Sequence, residues 1–463
     1  MIALSAGQIS AIVGGTLRGD ESTVVTGVET DSRLIKKGFL FVAKPGEVTD
    51  GHLFVGSAVD NGATIALVQR FVESEITQIQ VEDVVAALGL LATEVIRLVR
   101  EHGDLKVIGV TGSNGKTSTK NMLRAILSEF GETVAPRESF NNEVGAPISM
   151  LLCEHSTKYL VVELGADGLG SIDYLAKICK PDIAVELKVG MAHAGEWGGI
   201  ETTAKIKAEL VSNLRDGGVL VFNADDSYCA EMAQNFSGKS VGFGTSNTDY
   251  RFDQIDFSLS GTSAVLHYPD ESALPVNLQI LGEHQLYNAA ASIAVADQLN
   301  LDRNIALAAL GRLPLAERWR MQLKEVDGVA IINDAYNASP ESMKAALQAL
   351  AHLARREGRR SVAVLGEMAE LGEFSVAEHD AIGRIVVRLN IDQLVVVGEG
   401  AKLIHMGASQ EGSWDGESKF FRRIDEALEH LRGMLRAGDI VLVKSSKSAD
   451  LRHLGDALMG VES

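Results

Sequence analysis

The chain has 463 residues and 46% apolar content, enough for about three ordinary domains with buried cores. Its 43 Lys and Arg against 62 Asp and Glu leave a net charge of −19, a field that repels nucleic acid and anionic lipid, and no basic run offers a local exception. Cys153, Cys179 and Cys229 are far apart, odd in number and without metal-ligand spacing, so they read as small core residues of a protein in a reduced, cytoplasmic setting.

Met1-Ile2-Ala3-Leu4-Ser5 has no cationic segment ahead of an apolar one, and no run approaches about 18 uninterrupted apolar residues, so neither a signal peptide nor membrane insertion is expected. The first block, 1–103, mixes short β-like runs (Phe39–Ala43, Thr64–Val68) with turn signals, and the polar stretch Arg100-Glu101-His102-Gly103-Asp104 reads as a linker. The second block, 104–315, opens with an apolar strand that enters a Gly-rich turn, Thr111-Gly112-Ser113-Asn114-Gly115-Lys116-Thr117-Ser118. An amphipathic helix follows, with Met122, Leu123, Ile126, Leu127 and Phe130 on one face and Gly131 as its stop. This is the setting of a phosphate-binding loop. Backbone N–H groups converge on an anion, the helix N-terminus adds positive potential, Lys116 reaches the terminal phosphates and the Thr117 hydroxyl can hold Mg²⁺. The common pattern G-x-x-x-x-G-K-[ST] asks for glycine where Val110 stands; here the first glycine is Gly112.

Further strands are expected at Tyr159–Leu164, Ile183–Val185 and Gly218–Phe222. The third block, 316–463, repeats the alternation at Val329–Ile332, Val362–Leu365, Leu394–Val397 and Ile440–Val443. Apolar strands alternating with helical periods predict α/β blocks, each a parallel sheet covered on both faces. Ser339 is placed to cap a helix with Pro340 at its first position. Gly398-Glu399-Gly400 lacks a third glycine and reads as a plain turn.

Several residues could carry chemistry. Glu163 ends an apolar strand beside the loop, where a carboxylate can help hold Mg²⁺; its bland alternative is a solvated strand end. His193 and Lys207, taken alone, read as a structural histidine and a solvated helix charge. Asn141-Asn142-Glu143-Val144-Gly145-Ala146-Pro147 is a polar loop that could present amides to a substrate. Asn333-Asp334-Ala335-Tyr336-Asn337-Ala338-Ser339-Pro340 begins at a strand end, where open α/β sheets bind ligands, though an Asx turn would look the same.

These segments together resemble the Mur ligase family across all three blocks, and within it the D-alanyl-D-alanine-adding branch. The loop Thr111–Thr117 matches the family's ATP loop. Asp31-Ser32-Arg33 and Asp50-Gly51-His52 are similar to segments of its UDP-binding domains. Asn141–Pro147, Asp334–Pro340 and Leu365-Gly366-Glu367-Met368-Ala369-Glu370-Leu371-Gly372 are similar to signatures of the dipeptide-adding branch.

The resemblance implies a three-domain α/β fold: a small UDP-binding domain (1–103), a central P-loop-type ATPase domain with a parallel sheet (104–315) and a Rossmann-like C-terminal domain (316–463). It implies ATP and two Mg²⁺ sites. Gly112, Ser113, Asn114, Gly115, Lys116, Thr117 and Ser118 would hold the phosphates. Thr117 and Glu163 would hold one Mg²⁺, and His193 and Lys207 would lie at the other, Lys207 as a CO₂-derived carbamate. Asn288, Asp334 and Asn337 would face the nucleoside, and Arg318 the γ-phosphate. Ser32, Arg33, Asn141 and Asn142 would contact the substrate. Lys116, His193, Lys207 and Arg318 would be catalytic. The implied substrates are a UDP-N-acetylmuramoyl-tripeptide and D-alanyl-D-alanine; nothing in the sequence suggests an obligate interface, so a monomer is expected. Three departures from the family pattern stand out: Lys188 for an asparagine, Gly199 for a serine, and the segment Lys444-Ser445-Ser446-Lys447 for K-G-S-R. No dipeptide contact is therefore assigned in the C-terminal block. Lysine- or diaminopimelate-adding ligases and folylpolyglutamate synthetases share the ATP loop. A nucleotide-switched binding protein is the alternative from another class.

Overall fold

The computed structural model describes the chain except residues 47–48, 137–138, 192–196, 314–317, 412–416 and 462–463. Three main sheets follow one another along it. The first has five strands in the order Thr16–Arg18, Thr77–Gln80, Ala63–Val68, Phe39–Val42, Gly27–Glu29. Only its first pair is antiparallel.

The central sheet has nine strands. Lys106–Thr111, which feeds the Gly-rich turn, lies between Tyr159–Glu163 and Ile183–Glu186, all parallel. Strands buried on both faces read as continuous apolar runs, so the sequence shows them plainly. The outer part departs from the parallel sheet expected. Tyr250–Ser258, Gly261–His267 and Ala273–Leu278 form an antiparallel extension. Its strands alternate buried and solvent-facing residues and carry polar and charged side chains, so no apolar run marks them. The third sheet runs Gln322–Val326, Val329–Asn333, Asp439–Lys444, Arg360–Leu365, Gln393–Val397, Ser418–Phe421, and only its first pair is antiparallel. The half-exposed strand Gln322–Val326 also lacks an apolar run.

The stretch read as a linker is instead the end of a 19-residue helix, Val84–His102. Asp83 caps its N-terminus by accepting from Val85 and Ala86 N–H, and Arg100 and His102 in the last turn complement its dipole. Leu88, Leu91, Val95 and Val99 form one stripe that shares a core with Cys153, Ile172 and Ile178 of the central block. Arg100 also pairs with Asp182 at 2.9 Å. The first and second sheets are thus joined through a common apolar layer.

The C-terminal block is held against the central one at two places. At the antiparallel extension, Phe257 enters the C-terminal core and stacks on His352 with ring centroids 4.1 Å apart. At the Gly-rich turn, the segment around Ser339 meets the loop. The three cysteines are buried and unpaired, as a core role expects. No helix among the described residues is long and apolar enough to cross a membrane.

Candidate functional site

The turn between Lys106–Thr111 and the helix Lys116–Leu127 is built on two glycines. Gly112 has φ 149° and Gly115 φ 89°, and a Cβ at Gly115 would lie 2.5 Å from Asn288 Oδ1. Lys116 curls back so that Nζ donates to Gly112 O at 2.7 Å. Protein atoms ring its amine end, and that desolvation lowers its pKa, with the Glu163 charge working the other way. Ser113 N–H donates to Lys188 O at 2.7 Å, and Ser113 Oγ accepts from Gly190 N–H at 2.9 Å. Asn288 is buried behind the loop, where its Oδ1 accepts from Thr119 Oγ1 at 3.3 Å.

A cleft of about 780 Å³ opens at the loop. Ser113, Asn114, Gly115, Lys116, Thr117, Ser118, Asn141, Glu163, Asn288, Asp334 and Asn337 all line it. The structure thus gathers most of the residues that the sequence singled out, from segments more than 200 positions apart. The carboxyl ends of the central and C-terminal sheets face each other across this space, which is where open α/β sheets take ligands.

The C-terminal wall is braced by polar contacts. Lys444 is almost fully buried; its Nζ donates to Asp334 Oδ2 at 2.5 Å and to Asn337 O at 3.1 Å. Asp334 Oδ1 accepts from Met321 N–H at 3.0 Å. Ser339 caps the helix Pro340–Glu357 through a reciprocal pair with Ser342, and its Oγ lies 3.4 Å from Asn114 Nδ2. The helix cap predicted from Ser339-Pro340 thus also touches the loop.

The two arginines of the segment Arg318-Trp319-Arg320 point to different places. Arg318 pairs with Asp456 at 3.1 Å, is 46% exposed and does not line the cleft. Arg320 does: its guanidinium lies over the Tyr336 ring at 4.0 Å and reaches Thr117 Oγ1 at 3.4 Å. Between them Trp319 has φ 67°, and its indole N–H donates to Asp456 at 2.8 Å, which turns Arg318 away from the loop and Arg320 toward it.

Below the loop a smaller pocket of about 190 Å³ is lined by Ser113, Lys116, Asn141, Asn142, Trp197 and Lys207, among others. Lys207 is no solvated helix charge. It is only 3% exposed, and desolvation, with the Lys116 charge adding to it, lowers its pKa to about 7. Asn142 Oδ1 accepts from Val144 and Gly145 N–H, so its side-chain oxygen faces its own loop. Ser32 and Arg33 lie on a 3₁₀ turn of the first block and line neither pocket; Arg33 is held by Asp31 at 2.6 Å. His193 falls outside the described residues.

The donor set fits Mg²⁺ at Thr117 and Glu163. Glu163 is 1% exposed; Oε1 accepts from Asn141 Nδ2 at 2.9 Å, while the buried Oε2 has no hydrogen-bond partner. One carboxylate and one hydroxyl suit an ion that keeps several waters and takes phosphate oxygens. No cluster of three or more His, Cys, Asp or Glu stands among the described residues. Sequence reasoning passed over Glu186, which also ends an apolar strand and is fully buried. The signal that flagged Glu163 was present there too.

The Leu365–Gly372 segment lies at the end of its strand, braced by His379. Met368 N–H donates to His379 Nε2 at 2.9 Å, and His379 Nδ1 donates to Ser375 O at 2.7 Å, a pattern that requires a neutral ring. Burial lowers the ring's pKa below its ordinary 6.5. The unfolded chain therefore takes up the proton first, so the contribution is complete above pH 6.5 and declines as pH falls toward the lower folded value. The thermal midpoint should fall below that pH, and His379→Leu should flatten the fall, as read by calorimetry across pH. A second outcome concerns the arginines. Arg320→Ala should lower turnover by about a hundredfold, while Arg318→Ala should stay within about threefold. Equal losses in the two variants would contradict the geometry.

Comparison with known proteins identifies the family. Family models match in three places: "Mur ligase family, catalytic domain" over 24–95, "Mur ligase middle domain" over 110–296 and "Mur ligase, glutamate ligase domain" over 319–447. The chain is 42% identical to the UDP-N-acetylmuramoyl-tripeptide--D-alanyl-D-alanine ligase of Mycobacterium tuberculosis (strain H37Rv), covering 99% of this chain and 98% of that protein. It is 33% identical to the ligase of the same name from Bacillus subtilis (strain 168), covering 98% of each. A crystal structure of MurF from Acinetobacter baumannii superposes with a TM-score of 0.90 at 32% identity, covering 99% of both chains. That of MurF ligase from Thermotoga maritima in complex with ADP gives 0.82 at 28% identity, covering 94% of this chain and 97% of the other. The chain belongs to the Mur ligase family.

Proposed function

We propose that this protein is an ATP-dependent amide ligase that joins D-alanyl-D-alanine to the terminal carboxylate of a UDP-N-acetylmuramoyl-tripeptide. The observation that carries the reading is the cleft. A Gly-rich anion cradle is closed by the Asp334–Pro340 segment of another domain, in a chain that matches ligases of that name along nearly its whole length. Residues 1–103 are assigned to the UDP-sugar end, with Ser32 and Arg33 as contacts; 104–315 to the nucleotide; and 316–463 to the amino substrate and closure.

A carboxylate is a poor acylating agent. Its oxygen attacks the γ-phosphorus of ATP, ADP departs, and an acyl phosphate forms. The neutral amine of the dipeptide attacks the activated carbonyl, and the tetrahedral intermediate collapses to amide and phosphate. Lys116 and the loop N–H groups offset charge on the transferred phosphoryl group. Arg320 takes the role first assigned to Arg318, because it reaches the loop from the C-terminal side. Closure of the C-terminal domain excludes water from the acyl phosphate, and Asn114 with Ser339 marks where the two domains meet.

Mg²⁺ bound at Thr117 and Glu163 would supply further neutralisation of phosphate charge. A second site is assigned to His193 and Lys207. The lowered pKa of Lys207 favours the neutral amine, whose nitrogen can attack CO₂ and lose a proton to become an anionic carbamate. The buried free cysteines suit a cytoplasmic setting.

Coupled measurement of ADP with the UDP-linked tripeptide, with and without D-alanyl-D-alanine, tests the ligase. ADP should appear steadily only when both are present; phosphate release indifferent to the dipeptide would point to a nucleotide switch. Lys207→Ala should lower turnover by about a hundredfold, with partial recovery on adding a small carboxylate such as acetate. Wild-type turnover in Lys207→Ala would remove Lys207 from the reacting centre.

A further inference from the structure

Glu186 is the last residue of the strand Ile183–Glu186, between the loop strand and Val219–Asn223. Side chains alternate along this strand. Ile183, Val185 and Leu187 enter the core on one side of the sheet. Ala184 packs on the other side with Ile206 and Leu210 of the helix Ile200–Ser212. The alternation therefore places Glu186 under that helix, where Lys207 is buried.

The carboxyl of Glu186 is 0% exposed, and neither oxygen has a hydrogen-bond partner among the described residues. Its acidic neighbour Asp226 differs in this respect: it accepts from Cys229 N–H at 3.0 Å and Val189 N–H at 3.3 Å. Native interiors rarely leave such a group unsatisfied, so a carboxyl with two open oxygens needs a reason. The electrostatic interactions of Glu186 run to Lys207 as the attractive partner, and to Asp226 as a repulsive one. Lys207 lines the small pocket and Glu186 does not. A lysine stem is long and rotamer-rich, so its end is positioned only if something holds it.

We propose that Glu186 is a positioning residue, whose carboxyl hydrogen-bonds the nitrogen of Lys207 from beneath and holds the end of that side chain in the pocket beside Lys116 during turnover. This rests on the reading above that Lys207 acts at the reacting centre. The open oxygens of Glu186 are a stability cost retained for that contact, as supporting groups of reacting residues commonly are.

The test is a cycle of Glu186→Leu, Glu186→Gln, Lys207→Ala and the Glu186→Leu/Lys207→Ala double variant, read by steady-state kinetics and thermal melting. Glu186→Leu should keep or raise the thermal midpoint while lowering kcat about tenfold or more, with KM for ATP little changed. Glu186→Gln, which keeps a hydrogen-bonding side chain of the same shape, should recover most of kcat. In the Lys207→Ala background, Glu186→Leu should cause no further loss. A lowered midpoint in Glu186→Leu, an unchanged kcat, or losses that multiply in the double variant would each overturn the proposal. Wild-type turnover in Lys207→Ala would instead sink the reading of Lys207, and Glu186 with it. A loss in Lys207→Ala with none in Glu186→Leu would sink Glu186 alone.

Discussion

An acidic chain that handles a nucleotide and a carboxylate must gather positive potential where they meet, because its overall field of −19 opposes both. The loop supplies it in the least costly form. Backbone N–H groups at the start of the helix Lys116–Leu127 carry partial charge already fixed in direction, and Lys116 and Arg320 add full charges from two sides. The carboxylates nearby are arranged around this concentration. Glu163 is held by Asn141 with one oxygen left open, and Asp334 is tied to Lys444, so neither faces the cradle as a loose anion.

The fold makes that concentration possible by bringing two sheet edges together. Each sheet is braced by apolar layers: the helix Val84–His102 joins the first sheet to the second, and Phe257 on the antiparallel extension enters the C-terminal core. Lys207 and Glu186 show the other side of this construction. A lysine and a glutamate on facing elements are both withdrawn from water beneath the loop, where burial disfavours either charge.

Much of this was legible in residue order. Strands buried on both faces announced themselves as apolar runs, and the loop announced itself by glycine spacing followed by an amphipathic helix. The pairing of Ser339 with Pro340 marked a helix start that the structure shows with a reciprocal cap. The antiparallel extension was missed because its half-exposed strands lack an apolar run, and the supposed linker at 100–104 was misread because a helix end is polar by design.

Sequence alone determined the phosphate loop, because the glycines that permit its turn and the amphipathic helix that follows all lie within about twenty residues. It also determined the α/β alternation, since hydrophobic periodicity is a local property. Tertiary structure decided which arginine reaches the loop. Arg318 and Arg320 are equivalent by spacing, and the choice was made by Asp456, 138 positions along the chain from Arg318, which takes Arg318 and the Trp319 indole together. It likewise decided that Lys207 is buried rather than solvated, because burial depends on the sheet beneath the helix, and no short stretch of sequence encodes that.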